Sequence, residues 1–191
     1  MAPEKSEGKR MKHEKRFNDA IGRLRSSERT ELLEVERVIN LCLEGIAPVN
    51  VLDVGTGSGL FAEAFARRGL EVTGLDPNLE MLETARSFVP AGTFVEGTAE
   101  DIPFPDDSFD LVYLGHVLHE TDDTLLALQE ARRVARVRVA VLEWPYREEE
   151  TGPPPAHRLK EETVTTLARE AGFKRVETLP LSHMVLFRFE D

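Results

Sequence analysis

Three glycines at alternate positions form the first feature of the chain that could bind a small molecule. A short apolar run, Asn50 to Val54, leads directly into Gly55-Thr56-Gly57-Ser58-Gly59. Glycines in such a loop permit a tight turn and keep side chains away from a ligand, and Gly59 lets the next helix start close to the strand. Free backbone amides at the start of that helix attract an anionic group. The segment therefore predicts a ligand-binding loop at the end of a strand.

The spacing separates three classes of ligand that use such a loop. A nucleoside triphosphate site needs a Gly-Lys-Ser/Thr triplet, which the sequence lacks, and a dinucleotide site needs glycine at position 60, which is Leu60. Asp53, two residues before the first glycine, would repel a pyrophosphate but suits a ligand that carries an ammonium group. Asp76, 17 residues after Gly59, ends the second predicted strand, where a carboxylate can accept hydrogen bonds from both hydroxyls of a ribose. A ribose and an amine without a phosphate describe S-adenosylmethionine.

Strands and helices alternate around this loop. Strands are predicted at 50–54, 70–75, 93–96, 109–114, 137–143, 174–179 and 184–189, and helices at 30–44, 60–68, 79–88, 121–135 and 160–171. This alternation predicts an α/β fold, a parallel sheet with helices on both faces. Only Pro180 to His183 separate the last two strands, which is too short for a helical crossover, so those strands must pair antiparallel. The glycine loop then lies at the carboxyl edge of the sheet, where ligands bind in open α/β folds.

The helices that flank the site have specific expected features. The helix over 30–44 is expected to cover one face of the sheet, with Cys42 in the core. Thr121 or Asp122 is expected to cap the helix that runs to about Ala135. The inward-facing residues predicted for that helix are Leu125, Leu126, Leu128, Ala131 and Val134.

Four segments, taken in order, resemble the successive motifs of class I S-adenosylmethionine-dependent methyltransferases. They are Val51 to Gly59, Gly74 to Asn78, Gly97 to Phe104 and Phe109 to Val112. The resemblance covers roughly residues 49–143 and is nearest to the small-molecule subgroup that includes the ubiquinone and menaquinone C-methyltransferases. It implies a Rossmann-like seven-stranded sheet in the order 3-2-1-4-5-7-6 with strand 7 antiparallel. It also implies transfer of a methyl group from S-adenosylmethionine to a small-molecule acceptor by in-line displacement.

The resemblance implies which residues surround the two polar ends of the cofactor. Asp53, Gly55 and Gly57 match positions around the methionine part, and Asp76 matches the ribose ligand. The full set of predicted cofactor residues also includes their neighbours and the residues expected near the adenine. The predicted cofactor residues are Asp53, Gly55, Thr56, Gly57, Gly59, Asp76, Pro77, Met81, Thr98, Ala99, Glu100, Gly115 and His116.

The adenine end departs from the family pattern at one position. Leu79 or Met81 is expected near the adenine. Thr98 stands where the family usually has an aspartate that accepts a hydrogen bond from the adenine amino group. A hydroxyl accepts that bond less strongly, so we expect adenine recognition to depend more on backbone or side-chain atoms of Ala99 and Glu100.

The segment after the fourth strand, Gly115 to Glu120, is expected to border both the sulfonium and the substrate. Gly115 or His116 is expected to offer a backbone carbonyl to the cofactor. His119 and Glu120 are the candidate catalytic residues, because imidazole titrates near neutral pH and an adjacent carboxylate can orient it. A base is optional, since methyl transfer mainly requires alignment, and in the alternative reading both residues simply begin the next helix. No metal site is predicted, because His116 and His119 lack a third ligand nearby.

Three further segments each have two readings. Trp144 or Tyr146, after the fifth strand, lines an aromatic substrate pocket or anchors the loop. In one interpretation, His157 and the prolines at 153–155 fold over the pocket as a lid, and in the other they form a plain linker. Phe17 and the residues after it are expected to close over the cofactor, as N-terminal segments do in relatives of this kind.

Composition limits the setting and the partners. The 191 residues are expected to form one domain at 17–191 behind a flexible basic tail at 1–16. The tail holds six basic and three acidic side chains, which leaves a net charge of −14 on the rest. That charge repels a phosphate backbone, so nucleic acid is a poor candidate substrate. With Cys42 as the single cysteine, no leader pattern and no apolar run near the roughly 18 residues of a membrane span, we expect a cytoplasmic protein.

Two functions fit the sequence. The first is a methyltransferase that acts on a small molecule, since the chain has no Asn/Asp-Pro-Pro-Tyr/Phe motif of the kind that methylates DNA-base amines or glutamine amides. The second is a module that holds the cofactor without catalysis, because nothing between Gly115 and Arg147 requires a chemical role.

Overall fold

The computed structural model describes residues 22–148 and 151–191, and in this part of the chain seven strands form one mixed sheet. The predicted tail at 1–16 and Phe17 lie outside the described residues. The strands are β1 (Asn50–Val54), β2 (Glu71–Asp76), β3 (Thr93–Glu96), β4 (Phe109–Gly115), β5 (Ala135–Glu143), β6 (Arg175–Pro180) and β7 (Val185–Glu190).

The strand order, β3-β2-β1-β4-β5-β7-β6, confirms the predicted sheet. Neighbouring strands from β1 to β5 pair parallel, and β7 pairs antiparallel with both β5 and β6. The short connection before β7 closes with a hydrogen bond from the Leu181 backbone N–H to the Met184 carbonyl, at 2.9 Å. The chain winds outward from β1 through β2 to β3 and then returns to add β4 on the other side of β1. That reversal places a ligand-binding crevice at the carboxyl ends of β1 and β4.

Helices cover both faces of the sheet, as predicted. They are α1 (Ser27–Leu32), α2 (Val35–Leu43), α3 (Leu60–Arg67), α4 (Leu79–Phe88), α5 (Thr124–Val134) and α6 (Glu161–Glu170). Apolar side chains of α2, α3 and α4 pack on one face and those of α5 and α6 on the other. Cys42, on α2, is buried in the first of these cores, as its spacing predicts. Within 22–148 and 151–191, every helix is too short or too polar to cross a lipid bilayer.

The single helix predicted over 30–44 is wrong, because the chain breaks into α1 and α2 at Glu34. Glu34 has a left-handed φ of 47°. Leu33 and Val35 on either side are both buried, although side chains two residues apart on a continuous helix face different directions. The Glu34 carboxylate accepts a hydrogen bond of 2.7 Å from the backbone N–H of Ser182, 148 residues away. This distant contact stabilises the break.

The start of α5 also differs from the prediction. The cap is Asp123, whose carboxylate accepts a hydrogen bond from the backbone N–H of Leu126 at 3.0 Å, and not Thr121 or Asp122. Leu126, predicted to face inward, is 40% exposed, and Ala127 is buried in its place. Leu128, Ala131 and Val134 are buried as predicted, so the inward face differs from the predicted face only in the first turn of the helix.

Gly59 fixes how closely α3 can approach α4. It caps α3 with a φ of 76°, and a Cβ at this position would lie 2.9 Å from the Cα of Ala85 on α4. The neighbour that requires glycine is therefore α4, and not the strand as the sequence alone indicated.

We expect Gly59→Ala to lower the free energy of unfolding by about 2–4 kcal/mol. About 1–2 kcal/mol comes from placing a Cβ at positive φ, and the rest comes from the clash with Ala85. Gly69→Ala is the matched control, because Gly69 has a φ of 85° but open space around its Cβ position. Urea unfolding of both variants measures the difference, and equal losses would contradict the clash.

Candidate functional site

Two adjoining cavities lie at the carboxyl ends of β1, β2 and β4. The larger has a volume of about 410 Å³ and extends from the end of β2 to segments 97–100 and 116–122. The smaller has a volume of about 130 Å³ and lies between the glycine loop, β4 and residues of the α1 region. Both are lined by Gly55, Gly57 and His116, so together they form one crevice.

Most of the predicted cofactor residues meet at this crevice, although their binding roles stay predictions. Gly59 and Met81 line neither cavity, because Gly59 faces α4 and Met81 lies inside that helix. Leu79, the alternative to Met81, is 58% exposed at the start of the same helix. The residues that line the crevice are Asp53, Gly55, Thr56, Gly57, Asp76, Pro77, Thr98, Ala99, Glu100, Gly115 and His116.

The Asp76 carboxylate ties together the loops that follow β1 and β2. Its Oδ2 accepts a hydrogen bond of 2.8 Å from the backbone N–H of Gly57, and its Oδ1 accepts one of 2.8 Å from that of Asn78. A carboxylate offers about four lone-pair sites, so two remain for further donors. Asp76 lines the larger cavity and can therefore accept hydrogen bonds from a pair of hydroxyls there.

Asp53 is a buried carboxyl at the end of β1. Thr56 donates a hydrogen bond of 2.7 Å from its hydroxyl to Oδ2 of Asp53. Burial raises the pKa of Asp53 to about 7, against the opposing effect of the Thr56 hydrogen bond and with a smaller contribution from the charge of Asp76. Near neutral pH this carboxyl is therefore poised between its two forms, and a cation beside it would favour the ionised form.

Arg29 and Tyr113 line the smaller cavity and were not predicted from the sequence. Burial lowers the pKa of the Arg29 guanidinium, and within the described part of the chain no carboxylate pairs with it. The Tyr113 hydroxyl is buried without a hydrogen-bond partner, and its ring packs between Phe61 and Phe65. An unpaired buried polar group is unfavourable by about 1–3 kcal/mol, so the Tyr113 hydroxyl indicates a ligand site, and the half-buried Arg29 offers a cation beside it. Both lie inside their elements, Arg29 in α1 and Tyr113 in β4, so no local motif marked them in the sequence.

His116 stands where the two cavities meet and has a neutral ring. Its φ is 62°, and its backbone N–H donates to the Leu142 carbonyl at 2.8 Å. The ring centroid lies 5.1 Å from that of Trp144, and both ring nitrogens are buried without a hydrogen-bond partner among the described residues. Burial, together with the charges of Arg29 and His119, lowers the pKa of His116 to about 3. A neutral imidazole at this junction does not repel a cationic ligand.

Trp144 acts as an anchor for the loop after β5. It is buried, and the Arg158 guanidinium lies 5.4 Å from its ring. The same guanidinium donates hydrogen bonds to the carbonyls of Pro145 and Arg147, at 3.1 and 2.8 Å. Tyr146 is 47% exposed. These contacts favour the anchoring reading of Trp144 over the substrate-pocket reading.

His157 lies at the end of an exposed 3₁₀ turn, Pro155–His157. It lines neither cavity of the crevice.

His119 is held by a carboxylate that the sequence did not identify. It lies in a 3₁₀ turn, Leu118–Glu120, and its Nδ1 is 2.8 Å from Oε2 of Glu143 at the end of β5. Glu120 is 3.8 Å from Nε2, and its side chain is 76% exposed. Burial opposes protonation, but the hydrogen bond and charge of Glu143 outweigh it and raise the pKa of His119. Glu120 lines the larger cavity, whereas His119 lies behind that lining.

The charges of the crevice match an aminoacyl nucleoside without phosphate. The smaller cavity offers Arg29 to a carboxylate and Asp53 to an ammonium group. The larger cavity offers Asp76 to paired hydroxyls, and the described residues that line it include no arginine or lysine that would hold a phosphate. S-adenosylmethionine has this arrangement of groups, so the residues present fit it.

Comparison with known proteins also points to a methyltransferase. Residues 52–141 match the family model described as a methyltransferase domain. A demethylmenaquinone methyltransferase of Thermotoga maritima is 35% identical over 151 residues, which are 71% of this chain and 63% of that protein. An uncharacterized methyltransferase of Bacillus subtilis is 42% identical over 91 residues, which are 45% of this chain and 36% of that protein. The chain thus spans less than two thirds of the length of these relatives.

A solved structure extends the likeness over nearly the whole chain. The S-adenosylmethionine-dependent methyltransferase from Aquifex aeolicus superposes with a TM-score of 0.78 at 26% identity, over 90% of this chain and 96% of that one. The cofactor of these proteins is S-adenosylmethionine, for which the crevice has complementary groups at both ends. From its sheet order, its crevice and these matches, the chain belongs to the class I S-adenosylmethionine-dependent methyltransferases.

Proposed function

We propose that the protein transfers a methyl group from S-adenosylmethionine to a small-molecule acceptor. The observation that carries the proposal is the continuous crevice, with Arg29 and Asp53 at one end and Asp76 at the other. The bound cofactor supplies an electrophilic methyl group on a positively charged sulfur. The chain has to bind this group, align it with the acceptor and exclude competing water, and alignment alone is worth up to about 7–11 kcal/mol.

Each end of the crevice has a separate part in this binding. Arg29 binds the cofactor carboxylate, Asp53 binds its ammonium group, and Asp76 accepts from the ribose hydroxyls. The Glu100 carboxylate already accepts a hydrogen bond of 3.0 Å from the backbone N–H of Asp122. We therefore assign adenine recognition mainly to Thr98 and to backbone atoms next to it.

The acceptor in this proposal is neutral or cationic. Glu120 and Asp122 line the outer part of the larger cavity, and both are exposed. Their charge adds to the acidic excess of the chain and disfavours anionic acceptors. The Thermotoga relative is named for a demethylmenaquinone substrate, which makes a reduced quinone the first acceptor to test.

The proposed function is tested by calorimetric titration with S-adenosylmethionine and by a labelled-methyl assay on a mixture of metabolites that includes reduced demethylmenaquinone. We expect binding, and label in the small-molecule fraction. Added RNA and DNA serve as competing acceptors and are expected to stay unlabelled. Tight binding without transfer to any acceptor would instead support a non-catalytic cofactor-binding module.

We expect Arg29→Gln to weaken binding of S-adenosylhomocysteine by about ten- to hundredfold, the effect of losing a charge-assisted hydrogen bond. Methylthioadenosine lacks the aminoacyl part, so its binding should stay unchanged in this variant. Asp76→Asn should weaken both ligands, because both contain the ribose. Calorimetry measures all four dissociation constants. Arg169→Gln, on the exposed side of α6, is the matched control. Equal weakening of both ligands by Arg29→Gln would show that Arg29 supports the fold and not the carboxylate.

Cofactor affinity should depend on pH through Asp53. Its pKa of about 7 means that the carboxyl is mostly neutral at pH 6, and a proton must leave before it can pair with the ammonium group. The affinity for S-adenosylhomocysteine should therefore fall about tenfold per pH unit below 7 and level off between pH 7 and 8. Calorimetry from pH 5.5 to 8 measures the slope. Asp53→Asn should remove it, and a slope that persists in that variant would assign the proton to another group.

A further inference from the structure

A buried His–Glu pair joins the carboxyl ends of β4 and β5 beside the crevice. Nδ1 of His119 is 2.8 Å from Oε2 of Glu143, and the His119 backbone N–H donates to Oε1 at 3.3 Å. Oε2 also accepts from the backbone N–H of Trp144 at 3.3 Å. One carboxylate thus holds both the ring and the backbone of the same histidine.

The imidazole ring of His119 is the main partner for the negative charge of Glu143. Its side chain is 3% exposed, and a buried carboxylate is unfavourable unless it is paired. Among the described residues no arginine or lysine makes an ion pair with it, since the nearby Arg158 donates to backbone carbonyls. Protonation of His119 therefore completes an ion pair, whereas a neutral ring leaves the carboxylate charge uncompensated.

The pair leaves one nitrogen of His119 available for proton transfer. Nδ1 donates its hydrogen to Glu143, so the lone pair of the neutral ring lies on Nε2. The nearest ion-pair contact of Nε2 is with Glu120 at 3.8 Å, and Glu120 lines the larger cavity. Nε2 therefore faces Glu120, a residue of the cavity lining, and Nδ1 faces Glu143.

We propose that Glu143 is the positioning residue that makes His119 the proton acceptor in methyl transfer, and that the methyl acceptor is one that loses a proton as it is methylated. This inference rests on the proposed function. The nucleophilic atom of the acceptor forms a bond to the methyl carbon while the carbon–sulfur bond breaks and leaves its electron pair on sulfur. The acceptor proton passes to Nε2 of His119. The positive charge lost from sulfur thus reappears on an imidazolium that is paired with Glu143.

Nuclear magnetic resonance of ¹⁵N-histidine-labelled protein tests the pair without any acceptor. The charged or titratable groups that act on the His119 ring are Glu143 from β5, Glu120 from its own turn, Arg158 from beyond the 3₁₀ turn at Pro155–His157, and His116 from the end of β4. We expect Glu143→Gln to lower the pKa of His119 and to change its tautomer balance. Glu120→Gln should have a smaller effect, because Glu120 is exposed. An unchanged His119 titration in Glu143→Gln would overturn the proposal.

The pH profile of methyl transfer tests the role in catalysis, using the acceptor found in the labelled-methyl assay. We expect kcat to rise with pH to a plateau, with a midpoint that follows the His119 titration. Glu143→Gln should lower kcat by about tenfold or more, leave the acceptor KM nearly unchanged and move the midpoint to lower pH. Glu143→Asp should restore part of the loss, which a merely structural contact would not require.

Two controls separate this role from a folding defect. Glu190→Gln removes a partly buried carboxylate paired with Arg138 at the opposite edge of the sheet, and it should leave kcat and the midpoint unchanged. Calorimetric binding of S-adenosylhomocysteine should stay intact in Glu143→Gln. Normal transfer with an unshifted profile in Glu143→Gln would overturn the positioning role alone. Intact binding with no transfer by any variant, wild type included, would overturn the proposed function and this role with it.

Discussion

The site depends on two carboxyl groups held at the ends of adjacent parallel strands, Asp53 on β1 and Asp76 on β2. Removing a carboxylate from water is unfavourable unless hydrogen bonds or cations replace its hydration. Asp76 has two backbone N–H donors, and its bonds to Gly57 and Asn78 also fix the shape of the crevice. Asp53 accepts a hydrogen bond from the hydroxyl of Thr56, but among residues 22–148 and 151–191 it has no cationic partner, and burial raises its pKa. A cationic ligand relieves it, so ligand binding and the stability of the site are linked.

The buried polar groups without a hydrogen-bond partner also lie next to these two carboxyl groups. In the described part of the chain, the buried side-chain atoms without a hydrogen-bond partner are the Tyr113 hydroxyl and the two ring nitrogens of His116. Both residues line the smaller cavity, as does Arg29, which makes no ion pair with any described carboxylate. Arginines at the other edge of the sheet, such as Arg138, are paired with carboxylates. Among the described residues, the buried side-chain groups left without a partner therefore lie around the crevice, where a ligand can satisfy them.

The family match covers some residues of the site and leaves others out. The family match ends at residue 141, and within it lie the glycine loop, Asp76 and the segment after β4. Glu143 and Trp144 lie beyond that match, and Arg29 lies before it. A shared sheet with variable connecting segments is the usual way in which one fold serves different substrates. The family match therefore takes in the loops that follow β1, β2 and β4, but neither Arg29 nor the end of β5.

The sequence by itself determined the strands, their order through the family motifs, and the position of the glycine loop. Strand and helix periodicity is local, and Asp53, Gly55 and Asp76 lie within or next to the elements that place them. Only the tertiary structure decided which distant groups meet. Glu143 holds His119 from 24 residues away, where the adjacent Glu120 was expected, and Ser182 stabilises the helix break at Glu34 from 148 residues away. The physical reason is that such contacts depend on which strand ends and loops come together, and no local pattern of residue types encodes that.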